Sequence, residues 1–180
     1  MHSIDYIRKR LSYDTQNGIF IWIKADASFF KNITLYKSWN NQWAGKVAGS
    51  PVATGHIYIT LDRKKYLAHR VAWAITHGEW PEGEIDHINH DPSDNRLCNL
   101  RVVTRAQNAQ NMSLPKDNTS GIIGVSFNKK SSKWVAYITV NRKRMPLGYF
   151  KCITAAETAR KLAEIKYGFH INHGAPSILT

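Results

Sequence analysis

The chain has 180 residues, 43% of them hydrophobic, which suits one medium domain or two small ones and excludes wholesale disorder. A formal charge of +12 and a pI near 9.8 favour an acidic polymer as partner, through phosphate neutralisation and counterion release. No apolar run reaches the length of a membrane span, Met1 to Lys9 lack a secretory apolar core, and Cys98 and Cys152 alone support neither a disulfide framework nor a Cys-based zinc site, so a reducing cytoplasm is expected.

In chain order, Asp5 to Leu11 reads as a short helix, and Gly18 to Ile23 as a strand leaving a turn at Gln16-Asn17-Gly18. Residues 26–50, rich in Asn, Ser and aromatics, carry no readable period. Gly55 to Leu61 alternates like a strand, Asp62-Arg63-Lys64-Lys65 makes a basic turn, and Tyr66 to Ala68 begins the return strand. His69 to His77 has helical spacing, with Val71, Ala74 and Ile75 on one side and Gly78 as its stop. Two short strands follow, Glu84 to His87 and Leu100 to Val103. Thr104-Arg105-Ala106-Gln107 then matches a capping box, which places Asn108 one turn into a helix.

Ser113 to Ser120 is polar, contains a proline and reads as a linker. Beyond it Ile122 to Phe127, Lys133 to Val140 and Arg144 to Phe150 look like three strands. Thr154-Ala155-Ala156-Glu157 reads as a second capping box, opening an alanine-rich helix that runs to about Tyr167 and stops at Gly168. The period-2 pattern of the middle strand turns Trp134, Ala136, Ile138 and Val140 toward the helix and Lys133, Val135, Tyr137 and Thr139 outward.

The chemistry concentrates around Ile85-Asp86-His87. Asp86 offers a hard anionic oxygen and Asn108 a neutral one, a set suited to one Mg²⁺ (or Mn²⁺) ion that keeps several waters. His87, pointing the other way on an extended strand, is free to act as general base. An Asp-His pair alone also fits a surface or structural pairing. The stretch between it and Asn99 adds weight, because Asn and Asp side chains stabilise loops by mimicking backbone hydrogen bonds. Asn95 and Asn99 are expected to brace that loop. His90, Asp91 and Asp94 are expected to be solvated, with Asp91 also able to approach the metal. The cations Arg63, Lys64, Lys65, Arg70 and Arg105 are expected to meet DNA.

Ala68-His69-Arg70, Ile85-Asp86-His87, Asp94-Asn95, Asn99-Leu100-Arg101 and Asn108 to Asn111 resemble the HNH endonucleases of phage and intron origin. Tyr13-Asp14, Gly18, Ala48-Gly49-Ser50, Gly55 and Tyr58 resemble that family's leader, so the likeness covers roughly the first 110 residues. It implies a ββα-metal fold, Asp86 and Asn108 as metal ligands and His87 as the base that activates water. His69 matches a family histidine, for which a buried, hydrogen-bonded role and a phosphate-facing one both stand open.

Ser120 to Val125, Trp134 to Ile138, Leu147 to Phe150 and the Ala155-Ala156 helix resemble the AP2 DNA-binding domain, in which a three-stranded sheet enters the major groove. The resemblance implies DNA contacts from Lys129, Lys130, Tyr137, Thr139, Arg142 and Arg144. Ser126, Asn128 and Thr139 stand where plant members carry base-reading arginines, so phosphate contacts are expected to dominate.

The expectation is an α+β chain: an HNH nuclease domain with its leader over 1–112, a linker over 113–120, and an AP2-like three-stranded antiparallel sheet plus helix over 121–180. Its expected role is a phage or mobile-element homing endonuclease acting on double-stranded DNA, with neither a membrane nor an obligate protein partner. The principal alternative is a non-enzymatic DNA-binding regulator with a degenerate nuclease domain. An RNA-binding protein fits the charge but not the motif.

Overall fold

The computed structural model describes residues 1–176, and the chain divides into two compact units between Val102 and Val103. Positions 177–180 of the expected C-terminal region lie outside the described residues. In the first unit the Ser3 hydroxyl accepts the Tyr6 N–H and opens α1 (Ile4–Arg8). Strands β1 (Leu11–Asp14) and β2 (Ile19–Trp22) pair antiparallel, with Phe20 and Trp22 buried and Ile19 and Ile21 outside. Between them the Asp14 carboxylate accepts the N–H groups of Gln16 and Asn17 and so shapes the turn.

The stretch without a readable period contains a short 3₁₀ turn, Ala27–Phe29, and α2 (Ile33–Trp43), capped by Asn32. It escaped the pattern for a physical reason: α2 has no fully buried residue, and only Tyr36, Trp39 and Asn40 on one face are half-buried. Polar and ring contacts hold it instead. Asn40 bonds both the N–H and the carbonyl of Ala25, and the buried Arg10 guanidinium lies 4.6 Å from the Trp39 ring and 5.4 Å from Phe29.

Strands β3 (Ser50–Pro51), β4 (Ile57–Leu61) and β5 (Lys64–Leu67) form a sheet in that order. The β4–β5 turn is only Asp62-Arg63, both with positive φ (48° and 66°), the two-residue geometry whose twist matches flanking strands. Lys64 and Lys65 therefore belong to β5 and not to the turn. Helix α3 (Ala68–His77) buries Ala68, His69, Val71, Ala72 and Ala74 and ends at left-handed Gly78, whose N–H bonds the Ala74 carbonyl. Strands β6 (Glu84–His87) and β7 (Leu100–Val103) complete the unit as a two-stranded sheet. Ile7, Leu11, Phe20, Ile59, Leu61, Val71, Ile85 and Leu100 share one core.

In the second unit, α4 (Arg105–Ala109) opens with the predicted capping box, Thr104 and Gln107 satisfying one another's backbone donors. The next residues are tied to the far end of the unit, His170 N–H to Gln110 O, Gly174 N–H to Met112 O and Leu114 N–H to Ala175 O. Strands β8 (Val125–Asn128), β9 (Lys133–Val140) and β10 (Lys143–Phe150) form an antiparallel sheet in the order β10-β9-β8. Its first strand starts later than expected because the Ser120 and Asn118 side chains take the Ile122 carbonyl into a turn. Helix α5 (Ile153–Lys166) packs on the sheet through Ala156, over Val125 and Ala136.

The expected Thr154 capping box is absent. The helix starts two residues earlier, with Cys152 at its N-cap making no side-chain bond, because Ile153 is itself packed against the core. Trp134 also lies against that core, as the alternation required, while Tyr137 faces away from it beneath the Arg144 guanidinium at 3.5 Å.

Candidate active site and metal centre

Asp86 and His87 are consecutive buried residues of β6, so their side chains leave opposite faces. The Ile88 N–H bonds the Asn99 carbonyl at 3.0 Å, and counting back along both strands sets Asp86 across from Arg101. Arg101 donates from Nε (2.8 Å) and Nη2 (2.6 Å) to Asp86 Oδ2. That clamp was not anticipated, and the pairing of the two short strands was the signal that could have revealed it.

On the other face His87 meets two further imidazoles. His69 comes from the first turn of α3 and His56 from the residue before β4. The His69–His87 ring centroids are 4.9 Å apart, His56–His69 5.5 Å and His56–His87 5.9 Å, each pair strongly tilted. One nitrogen from each ring lies within 4.8 Å of the others, so the three could hold a metal ion. Thr54 Oγ1 is 3.1 Å from His56 Nδ1 and orients that ring. Nothing in the local sequence around His56 marks it as part of this group.

All three imidazoles are kept neutral. Burial pushes His69 down to about 3, with the His87 and His56 rings adding to the shift. Burial and His56 lower His87, opposed in part by its hydrogen bond to Asn95 and by the charges of Asp86 and Asp91. Burial lowers His56 as well. A neutral His87 is the form that can accept a proton or a cation.

The loop between β6 and β7 is held by its own amides. Asn99 accepts the Asn89 N–H and donates to Asn89 Oδ1 and the Asp94 carbonyl, and Asn95 donates to the Ser93 carbonyl. Asp94 pairs with exposed Arg96 at 2.6 Å and accepts from Asn89, so it braces the loop rather than standing free in solvent. Asp91 likewise accepts from Ser93. The leader supports this loop: Tyr13 Oη donates to the Asn95 carbonyl at 2.7 Å, and the Leu97 N–H reaches Thr15 O. A Cβ on Gly18 would stand 2.5 Å from the Arg96 nitrogen, so only glycine lets the turn approach the loop so closely.

Other predicted residues fall in several places. Asn108 stands, half-buried, on α4 in the second unit. His69, for which two roles stood open, is buried. Arg70 donates to the Pro81 and Gly83 carbonyls, so it secures the approach to β6 where a DNA contact was expected. Arg63, Lys64 and Lys65 are exposed on the β4–β5 hairpin. In the second unit Lys129, Lys130, Thr139, Arg142 and Arg144 are exposed, Thr139 directly opposite Arg144 across the β9–β10 ladder. Arg105, Thr139 and Arg142 line one cleft of about 490 Å³.

Among the described residues no helix is long and apolar enough to cross a membrane. Residues 66–110 match the family described as HNH endonuclease. The chain is similar to Protein 3.8 of Escherichia phage T7, 38% identical over 77 residues that make up 42% of this chain and 64% of that protein. It thus spans less than two thirds of the curated relative it matches. No solved structure matches. An HNH endonuclease domain therefore lies at residues 66–110, within a chain of mixed α and β structure.

Proposed function

We propose that the chain is a phage or mobile-element homing endonuclease that hydrolyses double-stranded DNA with a divalent metal ion. The observation that carries the reading is a buried, neutral His87 beside Asp86 inside the HNH match. In this reading Asp86 and Asn108 hold Mg²⁺ or Mn²⁺. Asp86 suits such an ion by donor type, since its carboxylate is buried and oriented by Arg101. When bound, the ion supplies stabilisation of charge on the scissile phosphate and the leaving oxygen.

His87 takes the proton of the attacking water at a ring nitrogen while the water oxygen forms the new P–O bond. The departing oxygen leaves with the electrons of the old one and is protonated by solvent. The braced 88–99 loop keeps His87 in place during this transfer. The exposed cations of the β4–β5 hairpin and of the β9–β10 face bind phosphates, the latter as an AP2-like reader in the second unit. The two exposed free thiols, Cys98 and Cys152, suit a host cytoplasm.

A second reading, DNA binding without cleavage, is favoured by one observation: Arg101 already sits on the expected metal ligand. Plasmid cleavage with Mg²⁺, with EDTA, and by His87→Ala separates the two. The nuclease reading expects Mg²⁺-dependent cuts, their loss in EDTA, and a fall of about 10²–10⁴-fold in single-turnover rate for His87→Ala with DNA affinity kept. Binding without any cleavage in Mg²⁺ or Mn²⁺ would establish the second reading instead.

A further inference from the structure

We propose that His56, His69 and His87 form a binding site for a borderline divalent ion such as Zn²⁺, and that the bound ion holds the enzyme off by occupying His87. The second half rests on the nuclease reading above; the first does not. Three imidazoles with no carboxylate among them are the donor set of Zn²⁺, Co²⁺ or Ni²⁺ and a poor one for Mg²⁺, which prefers oxygen. The site is thus chemically distinct from the Asp86 carboxylate, although both share β6.

Four features of the fold support it. The three donors come from separate elements, two of them in the core, and converge within 4.8 Å. Tetrahedral zinc with Zn–N bonds of about 2.0–2.1 Å separates its ligand nitrogens by about 3.4 Å, so modest ring rotations close the site. His69 is only 5% exposed, and its Nδ1 is buried with no hydrogen-bond partner, an arrangement that is costly until something occupies it. The contact between Thr54 Oγ1 and His56 Nδ1 leaves Nε2 as that ring's ligand atom and fixes its direction. The rings are also neutral at pH 7, the state a metal requires.

The consequence for His87 follows from one lone pair having one use. A ring nitrogen bonded to zinc takes no proton from water, so zinc and base catalysis exclude each other at this residue. Mg²⁺ does not compete for imidazole, and excess Mg²⁺ leaves zinc in place. Relief needs a chelator selective for the softer ion.

The test uses the full-length protein stripped of metal. Co²⁺ is expected to bind at one equivalent with the intense visible absorption of a four-coordinate ion, and Zn²⁺ to bleach it. His56→Gln, on a half-buried ring and checked for folding by circular dichroism, is expected to weaken Zn²⁺ by more than about 100-fold, beyond the usual cost of losing an outer-shell partner. Thr54→Val should weaken it by roughly 10-fold. His77→Gln, which alters an exposed histidine stacked on Trp73, should leave it unchanged. A faint six-coordinate cobalt spectrum, or zinc affinity indifferent to His56→Gln, overturns the site. One equivalent of Zn²⁺ should then abolish Mg²⁺-dependent cleavage. Cleavage that is unaffected or raised by bound zinc overturns the inhibitory role alone. No cleavage in Mg²⁺ at all removes the nuclease reading and that role together, while the cobalt spectrum still decides the site.

Discussion

Tyr13 shows how a single residue far in sequence from the loop between β6 and β7 supports it. Its hydroxyl donates to the Asn95 carbonyl, and burial, with the charges of Cys98, Asp14 and Asp94 behind it, pushes the phenol up to about 12. The unfolded chain ionises this group near pH 10. The folded state therefore resists losing the proton, and the stability contributed is complete below pH 10 and lost as pH climbs from 10 toward 12. Urea denaturation across that range should show the loss in the parent and a flatter profile in Tyr13→Phe. At pH 7 the variant should be about 0.5–1.5 kcal/mol less stable, the net value of one hydrogen bond. An equally steep alkaline loss in both proteins would assign the effect to other groups.

At the scale of elements, the pairing of β6 with β7 does more than close a small sheet. It brings Arg101 against Asp86, a pair intermediate between exposed and buried, since the guanidinium is 31% exposed and the carboxylate 7%. Exposed pairs contribute about 0–1 kcal/mol, and breaking a buried one costs about 3–5. Arg101→Ala should accordingly lower stability by about 1–3 kcal/mol in thermal or urea unfolding. If Arg101 only orients the carboxylate, Arg101→Lys should recover most of that loss. A change under about 0.5 kcal/mol for Arg101→Ala would mean that Asp86 is held by its other contacts.

For the whole molecule, the two units divide the charge as well as the fold. Lys129, Lys130, Arg142 and Arg144 are exposed in the second unit, and if they meet phosphates their joint replacement by Ala should reduce the log–log salt slope of DNA binding. Each lost contact is worth about 0.9, so the four together should remove as much as about 3.6. An unchanged slope in fluorescence anisotropy across a salt series would show that this face does not touch DNA. Substitution is the better test than truncation in 113–120. A cut there would strip Gln110, Met112 and Leu114 of the backbone bonds they make with His170, Gly174 and Ala175.

Local signals were enough to determine much of this protein. The strands holding Asp86 and Leu100, the capping box before Asn108, the Gly78 stop and the inward face of β9 all depend on period, caps or turns within a few residues. The same is true of the loop amides Asn95 and Asn99, whose partners are near neighbours. Tertiary structure decided the rest because the partners are distant in sequence. Arg10 anchors α2 through the ring of Trp39, far along the chain, Arg101 reaches Asp86 only once two strands pair, and Arg70 turns to carbonyls of the following loop. His56, His69 and His87 lie on three elements that no period relates. Packing against the core shared by Ile59, Val71 and Ile85 brings those elements, and their three ring nitrogens, together.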